Sequence, residues 1–113
     1  MTNQSCVFCK VINKEIPAKL IDENDDCIVI EDIAPKAPIH YLIIPKKHIV
    51  NLHDLQKSDL PLMGSMMFMA KQIAQKLPEP KAFGLIMNNG AQAGQSVMHM
   101  HSHFLSGAKL TDL

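Results

Sequence analysis

The sequence predicts an α+β domain built on antiparallel strands. Three observations predict it. Hydrophobic segments of strand length come in the order two strands, one strand, one long helix, two strands, with no alternating β-α-β rhythm. A single stretch, residues 59–77, carries helical periodicity over several turns. The stretch "VMHMHSHF", residues 97–104, alternates histidine with other residues at the period of a β-strand.

The elements follow in order. Ser5 is expected to cap a short helix over "CVFCKVINK", which ends before Pro17 because proline restricts the residue preceding it. "AKLID" and "CIVIEDI" read as a hairpin around the turn "ENDD", and "HYLIIP" as a third strand closed by Pro45. Ser58 is the expected cap of the long helix, "DLPLMGSMMFMAKQIAQKL", which "PEP" stops. Its expected core stripe is Met63, Met66, Met67, Ala70, Ile73, Ala74 and Leu77. Residues 66–69 are apolar on every side of a turn, which suggests a second buried face and hence a dimer. "KAFGLIMNN" and "VMHMHSHFL" supply the last two strands.

Length and composition narrow the function. A chain of 113 residues makes one domain, 1–113, with 47% hydrophobic and 19% charged residues. Zero formal net charge argues against a binder of nucleic-acid polymers. No apolar run suits a membrane span, and "MTNQSC" lacks the pattern of a signal peptide, so a cytoplasmic address is expected. Three cysteines, an odd number, do not suggest a disulfide framework.

Two constellations could carry chemistry. If residues 97–104 form one strand, His99, His101 and His103 present three imidazoles on one face, with Met98, Met100, Ser102 and Phe104 on the other. The loop before them, "NNGAQAGQS", offers glycines for close backbone approach to an anion and the hydroxyl of Ser96. A neutral imidazole can attack phosphorus through one nitrogen if the other is held as a donor. With no carboxylate nearby in sequence, a backbone carbonyl is the expected partner. The triple could alternatively bind metal, but one flat strand supplies two ligands more easily than three. The second constellation, Cys6 and Cys9 in "CVFC", makes half a tetrahedral zinc site. A redox pair, disfavoured here without a preceding β-α-β unit, and two small buried residues are the alternatives. Cys27 opens an apolar strand and is most simply core.

"HMHSHFL" resembles the signature of the histidine-triad (HIT) family. "DIAPKAPIHYLIIPKKH" and "NNGAQAGQSVMHMHSH" resemble blocks of its HINT branch, the nucleoside phosphoramidases. The likeness runs from Cys6 to about Leu105. His103 stands where the galactose-uridylyltransferase branch has glutamine, and nothing resembles the zinc finger of the aprataxin branch. The resemblance implies a HIT-like five-stranded antiparallel sheet with two helices, dimerising into a ten-stranded sheet through the long helix and an edge strand. It implies that His101 attacks the α-phosphorus, with His103 and His40 around the phosphate. Asn88, Gly94 and Ser96 would bind phosphate oxygens or assist the leaving group, and Asp32 would hold the ribose. Phe8, Val11, Ile16, Ile30 and Ile33 would form an apolar slot for a purine such as that of AMP. It further implies a structural zinc on Cys6, Cys9, His48 and His99, and no organic cofactor. Ser102 departs from the apolar residue usual in the signature, so that face is expected to be less buried. "LSGAKLTDL" replaces the family's Leu-Gly-Gly and lacks the aromatic tail of eukaryotic members. The leading expectation is a purine nucleoside phosphoramidase. A dinucleoside polyphosphate hydrolase and a nucleotide-binding interaction module are the alternatives.

Overall fold

The computed structural model describes residues 5–108. Five antiparallel strands run β1 (Leu20–Glu23), β2 (Cys27–Glu31), β3 (Ile39–Pro45), β4 (Phe83–Ile86) and β5 (Ser102–Ser106), in the spatial order β1-β2-β3-β5-β4. Two helices, α1 (Val7–Ile12) and α2 (Leu60–Ala74), cover the sheet. The expected α+β architecture is present, with both helices and all five strands.

Alternation along the strands divides the core. Ile28, Ile30, Leu42 and Ile44 pack with Phe8 and Cys9 of α1. Val29, Ile43, Met100 and Phe104 pack with Met66, Met69, Ala70 and Ile73 of α2. β2 is buried from Cys27 to Ile30 because each of its faces meets a different helix. Each fully buried side chain of this size, Met69 or Phe104 for instance, contributes about 1.5–3 kcal/mol. Cross-strand partners share a face, so the pairs Ile30–Leu42 and Leu42–His103 put His103 on the α1 side. His40, two residues before Leu42, is on that side too.

Local chemistry explains the boundaries. The Asn24 carboxamide oxygen accepts from the amides of Asp26 and Cys27, both at 2.8 Å, and so closes the β1–β2 turn. Cys6, not Ser5, caps α1, its sulfur accepting from the Cys9 amide at 3.3 Å. Asp59, not Ser58, is the N-cap of α2; Ser58 lies in a short 3-10 turn, Lys57–Asp59, and Pro61 occupies the first turn of the helix. The α2 stripe differs from expectation at one step. Met69 is buried, whereas Met67 and its neighbour Phe68 are exposed and form an uncovered apolar face. Ser102 is buried on the α2 side beside Ile43, contrary to the less buried face expected there. Cys27 is core, as expected, and burial pushes its thiol up to about 11. Among the described residues, no helix is long and apolar enough to cross a membrane. The last residues of "LSGAKLTDL", 109–113, lie outside the described residues.

Candidate active site and metal centre

β5 begins only at Ser102, so the histidine run is not one strand. The ladder with β3 ends at the pair Ile43–Ser102; continued two residues, it would set Met100 against Pro45, which has no amide hydrogen to donate. The Pro45 carbonyl is taken by a side chain, His99 Nε2, at 2.7 Å. Met100 instead donates its amide to Ile49 O at 2.6 Å. His99 and His101 therefore stand in an irregular segment ahead of the strand, and only His103 belongs to the ladder.

The hydrogen-bond partners fix each tautomer, since a carbonyl accepts and an amide donates. His101 Nδ1 is 2.8 Å from His99 O, so Nδ1 carries a proton, and in the neutral ring the lone pair is on Nε2. A backbone carbonyl is the expected orienting partner and is the one found. Phe8 packs edge-on against His101, with ring centroids 5.0 Å apart, and His103 lies 5.1 Å away on the same measure. The Lys36 amide donates to His40 Nδ1 at 3.0 Å, which leaves the His40 proton on Nε2. That atom is 2.9 Å from His103 Nδ1 and 3.4 Å from Asp32 Oδ2. His103, accepting at Nδ1, holds its own proton at Nε2. Burial lowers both His40 and His103 below the usual histidine value, against a smaller opposing effect of the Asp32 carboxylate. Asp32 lies just past β2, its Oδ1 accepting from the Ala34 amide at 2.7 Å.

A second group converges below α1. Cys6 Sγ, Cys9 Sγ, His48 Nδ1 and His99 Nδ1 all lie within 4.8 Å of one another. The closer pairs are Cys6–His99 and Cys9–His48 at 3.3 Å, Cys9–His99 at 3.6 Å and His48–His99 at 3.1 Å. A tetrahedral ion held at about 2.3 Å from sulfur and about 2.0–2.1 Å from nitrogen sets its ligands roughly 3.3–3.8 Å apart. The donor set fits. Because His99 donates from Nε2 to Pro45 O, its Nδ1 presents a lone pair to the cluster. Burial raises the Cys6 thiol above its ordinary value, a cost that a bound cation reverses. Asp32, His40 and His103 also lie close together, but their tautomers do not suit a metal. His40 Nε2 carries a proton, and the His103 Nδ1 lone pair already accepts it.

The remaining expected residues are dispersed. Val11, Ile16 and Ile30 line a cleft of about 380 Å³ between α1 and the β1–β2 hairpin. Phe8 is buried on His99 and His101 and Ile33 is fully exposed, so neither lines that cleft. Asn88 and Gly94 belong to the loop before the histidines. Asn88 Nδ2 donates to Ala93 O at 2.8 Å, and Gly94 adopts a left-handed backbone, φ +99°, with the Asn88 side chain beside it. Ser96 is exposed and lines a separate cleft with Cys6, His48 and Met98.

One residue escaped the sequence reading. Gln95 is 2% exposed and uses its full hydrogen-bonding capacity. Its Nε2 donates to Val50 O at 2.6 Å and Val97 O at 3.1 Å; its Oε1 accepts from Asn51 Nδ2 at 3.1 Å and the Gly90 amide at 2.8 Å. It thereby braces the glycine-bearing loop against the segment that follows His48. A glutamine between glycine and serine gives no sequence signal of burial.

Fold and site together define a small antiparallel α+β domain with a histidine cluster fed by a glycine-bearing loop. Residues 5–111 match the family model described as "Scavenger mRNA decapping enzyme C-term binding". An uncharacterized HIT-like protein of Synechocystis is 40% identical over 104 residues, 92% of this chain and 91% of that protein. A HIT family hydrolase from Clostridium thermocellum superposes with a TM-score of 0.91 at 40% identity, covering 96% of each chain. A histidine triad protein from Clostridium difficile gives 0.92 at 36% identity, covering 97% of this chain and 96% of the other. The chain belongs to the histidine-triad family. Its fold is that of HIT family hydrolases.

Proposed function

We propose that the protein is a purine nucleoside phosphoramidase of the HINT branch, cleaving the P–N bond of AMP–amine conjugates through a nucleotidyl-His101 intermediate. The observation that supports this most is the 2.8 Å hydrogen bond from His101 Nδ1–H to the His99 carbonyl. In the neutral ring it fixes the tautomer whose lone pair is on Nε2, the form a nucleophile needs. His103 and His40 form the donor line around the phosphate, with Nε2–H of His103 as its outward end. Asn88, Gly94 and Ser96 bind phosphate oxygens or assist departure of the amine, and Asp32 holds the ribose. The cleft of Val11, Ile16 and Ile30 takes the purine; Phe8 and Ile33 border the ligand from outside that lining.

Zinc is the metal proposed for Cys6, Cys9, His48 and His99, where it would tie α1 to the end of β3 and the approach to β5. Its part is structural. A homodimer is proposed through α2 and β4. Its support is the exposure of Met67 and Phe68 on α2 and of Phe83 on β4, an edge strand. Free buried thiols suit a reducing cytoplasm.

The test compares turnover of an AMP–amine conjugate with that of a diadenosine polyphosphate. Preference for the conjugate supports the reading. Preference for the polyphosphate shows a dinucleoside polyphosphate hydrolase, and tight AMP binding without turnover of either shows a binding module.

A further inference from the structure

We infer that the cleft bounded by Cys6, Val7, His48, Ser96, Val97 and Met98 seats the leaving group, and that it selects amines bearing an uncharged, apolar substituent. The inference rests on the phosphoramidase reading and names the substrate class for it.

Four observations converge. The cleft has a volume of about 310 Å³, the size of a small ligand's side group. It lies apart from the cleft of Val11, Ile16 and Ile30, with no lining residue in common, so a substrate could occupy both. His99 links it to the reacting histidine: its carbonyl accepts from His101, and its ring lies 3.3 Å from Cys6 and 3.1 Å from His48, both of which line the cleft. Ser96, assigned above to the phosphate or the departing amine, opens into the same space.

The lining chemistry then decides what fits. No lysine, arginine, aspartate or glutamate lines the cleft, and its uncharged polar members are Ser5 and Ser96. Its ionisable members, Cys6 and His48, are turned to one another's cluster, where a divalent metal, if bound by the two thiolates, would leave no net charge. A polyphosphate leaving group would find no cation there, and a second ammonium no carboxylate. Val7 and Met98 are each more than two-fifths exposed, an apolar rim that nothing else in the fold accounts for.

The reaction in this arrangement balances simply. His101 Nε2 gives its lone pair to phosphorus, and the P–N bond breaks with its electron pair on nitrogen. That nitrogen takes a proton relayed by the Ser96 hydroxyl from solvent, and the neutral amine departs into the cleft. Water then attacks phosphorus, the P–Nε2 pair returns to His101, and a proton goes to solvent. The products are AMP and amine.

The test uses full-length protein and AMP conjugates of pentylamine, 1,5-diaminopentane and 5-aminopentanoate, with unsubstituted AMP phosphoramidate beside them. These three amines match in length and differ in the charge at the far end. The expected kcat/KM favours pentylamine by about tenfold or more over both charged conjugates. Met98→Glu and Val7→Glu are each expected to cut the pentylamine-to-diaminopentane ratio about tenfold, a ratio that cancels any general loss of activity. Equal rates on the three conjugates, or a ratio unmoved in both variants, overturn the inference while leaving the phosphoramidase intact. No turnover of any conjugate, unsubstituted phosphoramidate included, overturns both.

Discussion

His40 and His103 share a single proton donor: His40 Nε2–H points at His103 Nδ1 across 2.9 Å, because the Lys36 amide occupies the other nitrogen of His40. The pair therefore hands a donor outward at His103 Nε2 without either ring carrying charge. His101 is arranged in the opposite sense, with its proton turned inward to the His99 carbonyl and its lone pair outward. One ring offers a proton and its neighbour offers electrons.

Those opposed roles predict different losses. His103→Ala removes the donor proposed to meet developing charge and is expected to lower kcat by about 10²–10³. His101→Ala removes the proposed nucleophile and with it the covalent pathway, so its loss should be larger, beyond the ~10²–10⁴ typical of an acid or base. AMP binding, read by calorimetry, should survive in the second variant. A His101→Ala enzyme keeping a tenth of wild-type turnover would refute the assignment.

Protein purified without chelator is expected to carry one zinc per chain by elemental analysis, and Cys9→Ser to lose it. Brief chelation with the fold monitored by circular dichroism should not stop turnover at once, because no step of the proposed chemistry passes through a metal. If the rate vanishes while the fold persists and returns with added zinc, the protein is a metallohydrolase instead.

Acid should destabilise the metal-free protein. Burial lowers His99 to about 4, and His40 and His103 move in the same direction. An unfolded chain with histidines near 6.5 thus binds more protons than the folded one as pH falls below that value. Stability is full above about pH 6.5 and declines toward pH 4. His99 alone accounts for about 3 kcal/mol of that loss, at about 1.4 kcal/mol per pH unit. Urea denaturation at pH 7.5 and 4.5 measures it, and His99→Gln should flatten the slope.

Gln95→Leu is expected to cost about 2–4 kcal/mol, because it strands the Gly90 amide and the Val50 and Val97 carbonyls. Turnover should fall beyond what reduced stability explains, since the loop carrying Gly94 and Ser96 loses its brace. A variant with wild-type melting temperature would show that water replaces the carboxamide.

Much of the fold was legible because periodicity and turn residues report local geometry. The hairpin around Asn24, the proline at the end of β3 and the long helix all carried such signals. The errors arose where tertiary structure overrides local pattern. The histidine run has a strand's alternation, yet the ladder stops at Ser102, and residues distant in sequence take over the groups beyond it: Ile49 O accepts from the Met100 amide and Pro45 O from His99. Met67 and Met69 are alike in composition, and only the direction of α2 over the sheet decides which is buried. The carbonyl partner of His101 was anticipated by elimination, since no carboxylate stood nearby in sequence. The brace by Gln95 was not, because a buried carboxamide looks like any loop residue until its four partners are placed.

His99 meets the metal cluster with its ring and orients His101 with its backbone oxygen. The first task depends on the residue's identity. The second does not, since every amino acid has a carbonyl. A lineage could thus exchange His99, Cys6 and Cys9 for apolar residues that fill the same space, shed the metal, and still pass the orienting contact to its descendants. The cluster's donor set and the contact that orients His101 are heritable separately, so loss of the one need not carry loss of the other.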